Sequence, residues 1–371
     1  SATRVTKIDA ADIDGDGDMD VVFASNTANR IAWYANDGSG NFGTEQIISA
    51  SSNHFHIADL DGDGDQDILA TTPLSPSQNN QIVWYPNNGA GIFGARQVVS
   101  NNAGGVENMD VADVDGDGDA DIIAIAPYDK VALYANNGMG NFGAEQVLST
   151  AAGDALSVQA ADLDGDRDLD MLYISRTWNE VVWEANGGAG NFGVRYSVAQ
   201  TPYAFPTGTQ LSAYAVDLDG DSDLDILCTS SINRISSSDY VFFYRNDGFG
   251  NFVGSYTGID NSLTGVRDPY VVDFNGDGRL DILVAALYEN KVVWYQNLRT
   301  GCSVNTGIQV NNNTIVARAS GANYQWLNCD SSYAPIAGAT SNPFVPITNG
   351  IYAVAVTQNG CTDTSACVVL T

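Results

Sequence analysis

Hydrophobic positions along this chain fall in short runs with a period of two, as in Ile68–Ala70, Val83–Tyr85 and Gln97–Ser100, and that period predicts short strands. No stretch carries a convincing 3.6-residue period, so helices are not expected. Between the runs two polar segments return in register, one acidic and one rich in glycine and asparagine. Together they define a unit of strand A, acidic loop, strand B, variable loop, strand C, glycine-rich turn and strand D.

Acidic loops begin at Asp12, Asp59, Asp113, Asp162, Asp217 and Asp273, with spacings of 47, 54, 49, 55 and 56 residues. Four-stranded units repeating at that length predict a β-propeller. No interval is long enough to hide another unit. The expected fold is therefore all-β, a six-bladed propeller over residues 1–299. The sixth unit stops after Lys291–Asn297 without a D strand, and the chain opens just before an A strand. Closure by residues near Ser1–Val5, or a seventh blade upstream, would complete such a ring.

The loops read DIDGDGDMD, DLDGDGDQD, DVDGDGDAD, DLDGDRDLD, DLDGDSDLD and DFNGDGRLD. Carboxylates packed this densely repel one another once desolvated. A hard divalent cation removes the conflict. Ca²⁺ takes about six to eight oxygens, and loop positions 1, 3, 5, 7 and 9 supply them, position 7 through its carbonyl. The candidate ligands are Asp12, Asp14, Asp16, Asp18 and Asp20; Asp59, Asp61, Asp63, Asp65 and Asp67; Asp113, Asp115, Asp117, Asp119 and Asp121. They continue with Asp162, Asp164, Asp166, Asp168 and Asp170; Asp217, Asp219, Asp221, Asp223 and Asp225; and Asp273, Asn275, Asp277, Arg279 and Asp281. About six structural Ca²⁺ ions are expected.

Strand C and its turn read WYANDGSGNFG from Trp33, WYPNNGAGIFG from Trp84, LYANNGMGNFG from Leu133, WEANGGAGNFG from Trp183 and FYRNDGFGNFV from Phe243. Glycine, Asn and Asp suit turns that need positive φ, and the aromatic residues read as packing inside. The pairing of DxDGDGxxD with N-x-G-x-G-x-F-G resembles the FG-GAP, or VCBS, repeats of integrin α-subunit heads and of many secreted bacterial propellers, from Ser1 to about Asn297. The resemblance implies one Ca²⁺ in each A–B loop, held by the motif positions just named. Departures fall at Arg167 and Ser222, where position 6 is usually glycine, and at Asn275 and Arg279. The fourth site is expected to be the weakest.

Composition changes after Leu298–Gly301, and four of the five cysteines lie in Cys302–Thr371. Strands are expected at Thr314–Arg318, Tyr324–Leu327, Ile351–Thr357 and Ala366–Leu370, with Trp326 on a central one. That pattern suggests a small immunoglobulin-like β-sandwich over residues 300–371. NYQWLNCDSSYAPIAGATSNPF and GIYAVAVTQNGCTDTSACV look like the immunoglobulin-like modules of bacterial proteins exported by the type IX secretion system. Four cysteines allow three pairings. In a sandwich the strand at Tyr324 and the last strand run parallel, which favours Cys329–Cys367; the first and last strands would likewise bring Cys302 to Cys361. Disulfides imply an oxidising compartment, hence a secreted or bacterial cell-surface location. Cys228 reads as a buried free thiol.

The formal charge of −30 sits largely in the loops, which hold 28 of the 45 acidic residues, and six Ca²⁺ would bring it to −18. That balance argues against nucleic acid and against anionic membrane surfaces as partners. No apolar run reaches bilayer length and no signal peptide is visible, so the chain reads as processed or trimmed. Catalytic candidates are few. His54 and His56, the two histidines, lack a third ligand for a zinc site. Glu107, Asp129, Glu180, Asp239, Asp260 and Asp268 do not recur with the repeat and leave an acid pair as the one glycosidase route. No nucleophile elbow, phosphate-binding loop or zinc motif occurs. A non-catalytic protein is expected.

Chain reversal at each loop puts the A–B and C–D loops on one face and the irregular B–C and D–A loops on the other. Binding belongs on the irregular face. Its candidate ligand residues are Tyr128, Arg176, Trp178, Tyr203, Phe205, Arg234 and Tyr288, which suit a protein or a glycan. The expected function is a calcium-stabilised adhesion or protein-interaction module, part of a surface assembly. A lectin is the alternative, and a polysaccharide-degrading enzyme on a calcium-rich propeller the third reading.

Overall fold

The computed structural model describes the chain outside residues 1–4, 26–27, 51, 53, 73–80, 102–105, 107, 127–129, 151, 179, 201–208, 233–238, 253–255, 299–303, 312, 332, 359–360 and 371. Four-stranded sheets recur, each a meander in chain order. The first consists of Val5–Ala11, Asp20–Ser25, Arg30–Tyr34 and Gln46–Ser49. The second is His54–Ala58, Asp67–Thr72, Gln81–Tyr85 and Gln97–Ser100; the third is Asn108–Ala112, Asp121–Ala126, Lys130–Tyr134 and Gln146–Ser149. Ala155–Ala161, Asp170–Ser175, Glu180–Asn186 and Phe192–Gln200 form the fourth, and Thr209–Val216, Asp225–Ile232, Tyr240–Tyr244 and Thr257–Asp260 the fifth. The sixth has three strands, Val266–Val272, Asp281–Ala286 and Lys291–Tyr295. Among the described residues the helical turns are short 3₁₀ turns at Leu287–Glu289 and Cys329–Ser331.

Two compact units divide the chain, Ser1–Ala160 with Asp168–Pro202, and Ala161–Arg167 with Tyr203–Thr371. Within the first, consecutive sheets pack face to face. Val22, Ile31 and Trp33 meet Phe55, Ile68 and Val83; Leu69, Ile82 and Trp84 meet Met109, Ile122 and Ala132; Ile123, Val131 and Leu133 meet Val158, Met171 and Val182. Within the second, Leu227 and Val241 meet Val266, Ile282 and Val284. In the second sheet the B and C strands are covered on both faces, so Asp67–Thr72 and Gln81–Tyr85 are buried throughout, whereas the D strand Gln97–Ser100 is half open to solvent.

One local feature repeats without a signal in the sequence. In five units the C–D pairing slips at the same step, between Ile31 and Ala32, Ile82 and Val83, Val131 and Ala132, Val181 and Val182, and Val241 and Phe242. Each slip inserts one residue into strand D, a β-bulge. The inserted Ile48, Val99, Leu148 and Ile259 turn against the cores beneath them.

Adjacent units are also latched by one side chain. The turn asparagine following strand C donates its Nδ2 to the second carbonyl of the preceding unit's acidic loop. Asn87 reaches Ile13 O at 2.7 Å, Asn136 reaches Leu60 O at 2.8 Å and Asn186 reaches Val114 O at 2.9 Å. Asn246 reaches Leu163 O at 2.8 Å and Asn297 reaches Leu218 O at 2.9 Å. Each also donates to the eighth carbonyl of its own loop, as Asn136 does to Ala120 O at 3.0 Å.

The C-terminal strands have a core of their own, built on Ile315, Trp326, Tyr352 and Val354. Ile308–Asn311 pairs with Thr314–Ala317. A second sheet runs Ala334–Pro335, Asn323–Asn328, Gly350–Gln358 and Cys361–Thr364, with Val368–Leu370 also on Gly350–Gln358. The Trp326 ring stacks on Phe344 at 5.0 Å, and its Nε1 donates to Ser341 O at 2.9 Å. Asn323–Asn328 and Val368–Leu370 both lie antiparallel to Gly350–Gln358, hence parallel to each other. Cys329 and Cys367, just beyond and just before those strands, are joined with S–S 2.07 Å. The expected partner pair Cys302–Cys361 involves a cysteine outside the described residues. Cys228 is a buried free thiol.

Asn136→Ala removes a cross-unit bond and leaves the buried Leu60 carbonyl without its donor. It is expected to cost about 1–3 kcal/mol, measured by denaturant unfolding. Asn36→Ala, whose Nδ2 among the described residues bonds its own loop at Met19 O, should cost less.

Candidate metal centres

The acidic loops divide their carboxylates among distinct jobs. Position 1 braces the turn: Asp12 Oδ1 accepts from Gly15 N at 2.8 Å and Oδ2 from Gly17 N at 3.0 Å. Asp59, Asp113 and Asp273 repeat both bonds. Position 9 is fully buried in every loop, at Asp20, Asp67, Asp121, Asp170, Asp225 and Asp281. Its Oδ1 accepts from the backbone N–H of the turn asparagine, as in Asn87 N to Asp67 at 2.7 Å and Asn136 N to Asp121 at 2.7 Å. In the first three loops its Oδ2 accepts from position 2, as in Ile13 N to Asp20 at 2.9 Å. Position 7 leans on the first glycine of the turn. A Cβ on Gly138 would come within 2.4 Å of Asp119 Oδ1, so only glycine fits there.

What remains is a ring of oxygens. Carboxylate atoms of Asp12, Asp14 and Asp20 lie within 4.8 Å of one another, as do those of Asp59, Asp61 and Asp67, of Asp113, Asp115 and Asp121, and of Asp162, Asp164 and Asp170. In the fifth loop the group is Asp217, Asp219 and Asp221. Positions 1, 3 and 9 therefore converge in four loops, with position 5 close by: Asp16 Oδ1 accepts from Asp18 N at 2.9 Å. Asp14 Oδ1 and Asp61 Oδ1 are buried atoms without a hydrogen-bond donor among the described residues. An oxygen in that position fits a hard cation.

The departures from the motif resolve differently from one another. Arg167 and Ser222 hold the left-handed conformation, with φ of 82° and 78°. Their N–H groups donate to Asp162 Oδ2 at 3.0 Å and Asp217 Oδ2 at 2.9 Å, the bond Gly17 makes in the first loop. Loop geometry thus survives at some backbone strain. The sixth loop changes chemistry instead. Asn275 Nδ2 donates to Asp281 Oδ2 at 3.1 Å, and the Arg279 guanidinium pairs with Asp277 at 2.6 Å and with Asn297 O at 2.9 Å. A second cation reaches the fourth loop. Arg318, at the end of Thr314–Ala317, lies over the Phe249 ring at 3.8 Å and donates to Asp164 O and Gly248 O.

Burial and mutual repulsion both act on these acids. Burial, then neighbouring aspartates, hold Asp14, Asp61, Asp115 and Asp164 above the ordinary carboxylate range. Burial pushes Asp67 up to about 7, Asp121 to about 6 and Asp225 to about 7. Asp221, buried beside Asp219, rises to about 8.

The candidate ligand face is only partly described, with Tyr128, Tyr203, Phe205 and Arg234 outside the described residues. Arg176 pairs with Asp154 at 2.9 Å, and Trp178 lies under the Arg195 guanidinium at 4.4 Å, so both are engaged locally. Tyr288 packs over Gly265 with part of its ring exposed. His56 is pushed down to about 3 by burial and by the charge of Lys7, which keeps it neutral. No histidine joins a metal-ligating group among the described residues.

The sign of the pH dependence follows. A carboxyl whose folded pKa exceeds its unfolded value near 3.9 weakens the fold once ionised, and acidification relieves this as pH falls through the folded pKa. In chelator, the melting temperature should therefore rise as pH drops from about 8 to about 5. In calcium, protons compete with the ion, so the gap between the two melting curves should close over the same range. Differential scanning calorimetry in both buffers checks this; a gap independent of pH would contradict it.

The FG-GAP-like repeat family matches this chain over residues 12–70, 59–124, 113–173, 163–228 and 217–284. No curated protein matches it. Among solved structures it is similar to an Agrocybe aegerita lectin described by its specific recognition of non-reducing terminal N-acetylglucosamine, at 24% identity over 70% of this chain and 67% of that one, TM-score 0.52. It is also similar to BBS1N, solved in complex with ARL6DN, at 11% identity over 99% of this chain and 93% of that one, TM-score 0.50. At these identities the likeness is one of fold. Repeated four-stranded sheets, acidic loops and glycine turns, matched over most of its length, make this chain a member of the FG-GAP-like repeat family, with the blades of a β-propeller.

Proposed function

We propose that the chain is a secreted or cell-surface β-propeller of six blades, stabilised by Ca²⁺, which acts as a non-catalytic adhesion or protein-interaction module. The observation that carries this reading is the convergence of three carboxylates within 4.8 Å in each of five loops. It ties most of the chain's acidity to holding the fold and leaves recognition to the irregular face. The sixth loop, where Arg279 pairs with Asp277 and Asn275 donates to Asp281, replaces the fourth as the weakest site in this reading. The disulfide Cys329–Cys367 supports an oxidising compartment. Residues 300–371 are then an immunoglobulin-like sandwich of the kind type IX cargo carries, supported by the buried Trp326 and its two sheets. Among the described residues no helix is long and apolar enough to cross a membrane.

A lectin is the second reading, supported by the fold likeness to a sugar-binding protein. Against it, Trp33, Trp84 and Trp183 are buried. Glycines of the following turn sit on the first two, with a Cβ on Gly91 falling 2.4 Å from the Trp33 ring. Those rings offer no open platform for a sugar.

Two experiments test the proposal. Ca²⁺ at a thousandfold excess over Kd should stabilise by about 4 kcal/mol per site, and Asp61→Asn should raise the melting temperature in chelator while lowering it in calcium. A variant equally destabilised in both buffers would refute a metal role for Asp61. Beads coated with the chain should adhere to cell layers in calcium, before and after enzymatic deglycosylation. Loss of adhesion on deglycosylation, together with signal on a glycan array, would establish the lectin reading instead.

A further inference from the structure

We infer that the C-terminal strands are a calcium-controlled latch, seated on the fifth acidic loop and its glycine turn while calcium is bound and released when it is withdrawn. Such a latch presupposes the calcium reading above and adds a moving part to it. Two residues make the contact. Arg318 lies over the Phe249 ring at 3.8 Å, and its guanidinium donates to Asp164 O at 2.5 Å and to Gly248 O. Asn305 Nδ2 donates to Asp223 Oδ1 at 2.7 Å. The two are braced against each other, since Gly307 N donates to Asn305 Oδ1 at 2.8 Å and Arg318 N to Gly307 O at 3.0 Å. Their neighbours Val304 and Ala317 are buried in the C-terminal core, which fixes both at its edge.

The fifth unit departs from its siblings where this contact needs it to. Between the two turn glycines the first four units carry Ser39, Ala90, Met139 and Ala189, and the fifth carries Phe249, the ring on which Arg318 stacks. Just before the turn asparagine stand Ala35, Pro86, Ala135 and Ala185, but in the fifth unit Arg245, whose Nε pairs with Asp219 Oδ2 at 3.0 Å. A Cβ on Gly307 would lie 3.3 Å from the Phe249 ring and 3.4 Å from Asp247 O, so the backbone passes over the turn at contact distance. A Cβ on Gly165 would collide with the Arg318 guanidinium, which sits in the space that glycine leaves.

Arg318 and Asn305 read the shape of the loop and turn, through two backbone carbonyls, a ring and the position 7 carboxylate. That shape lasts only while the loop stays closed. Carboxylates of Asp217, Asp219 and Asp221 converge within 4.8 Å, with Asp219 buried. Without a cation they repel one another, and opening toward water relieves them. Opening displaces Asp223, and with it the turn on which Asp223 leans, where a Cβ on Gly248 would fall 2.5 Å from its carboxylate. The seat of the latch is then lost. A bound cation and the docked strands both oppose that opening. Two events that favour one loop conformation strengthen each other by the same factor. Calcium therefore holds the latch, and the latch holds calcium.

Calcium titration calorimetry and small-angle X-ray scattering on the full chain test this. Phe249→Ala and Arg318→Ala should each weaken one calcium site about tenfold and lengthen the particle even in calcium. Met139→Ala, at the equivalent turn position of the third unit, should change neither. Phe249 lies outside the C-terminal strands, so its effect does not come from misfolding of those strands. The wild-type particle should be compact in calcium and longer in chelator. Isotherms of Phe249→Ala and Arg318→Ala identical to wild type would overturn the latch, whatever chelator does to the rest of the fold. Equal wild-type dimensions in the two buffers, with calcium removal confirmed, would overturn it too. A wild-type chain that takes up no calcium would instead refute the calcium reading itself, and the latch with it.

Discussion

Asp20, Asp67, Asp121, Asp170, Asp225 and Asp281 are carboxylates with no exposure at all, and the repeat is organised around them. Each accepts from the turn asparagine's backbone N–H with one oxygen, as Asn186 does to Asp170 at 2.9 Å and Asn246 to Asp225 at 2.9 Å. A buried carboxylate is tolerated only when its lone pairs are filled by charge-assisted bonds and its charge is met. These bonds tie the acidic loop to the turn of the same unit. The turn asparagine then carries the tie onward, through Nδ2, to the loop of the preceding unit. Acidic loop, turn and packing between repeats are therefore one connected polar structure rather than three.

Much of this was legible in the sequence, because the loop and turn motifs leave few other physical solutions. The period of the strands, the positions of the loops and the identity of the acidic residues all follow from spacing. The division of labour within a loop does not. Five aspartates are identical as letters, yet position 9 is sealed in the core, position 1 braces the turn and position 7 rests on a glycine. Burial separates them, and burial comes from neighbouring strands that a local motif cannot report.

The departures from the motif make the same point. Arg167 looks more disruptive than Arg279, since it occupies a glycine position with φ of 82°. The loop keeps its hydrogen bond there because the backbone N–H, not the side chain, makes it. Arg279 needs no unusual backbone, but its guanidinium pairs with Asp277, the carboxylate at position 5 of its own loop. In the C-terminal strands, the pairing of Cys329 with Cys367 follows from register, since the neighbouring Asn328 and Val368 both pair with Tyr352.

The recurrent slip between strands C and D bears on how such a molecule survives at high local concentration. Four of the D strands, Gln46–Ser49, Gln97–Ser100, Gln146–Ser149 and Thr257–Asp260, are short edges whose outward amides and carbonyls invite pairing with a stranger's backbone. The extra residue at Ile48, Val99, Leu148 or Ile259 bends that edge and turns an apolar side chain away from it. Each blade thereby spoils the flat template on which aggregation would be seeded, and crowded copies can stand side by side without fusing into a continuous sheet.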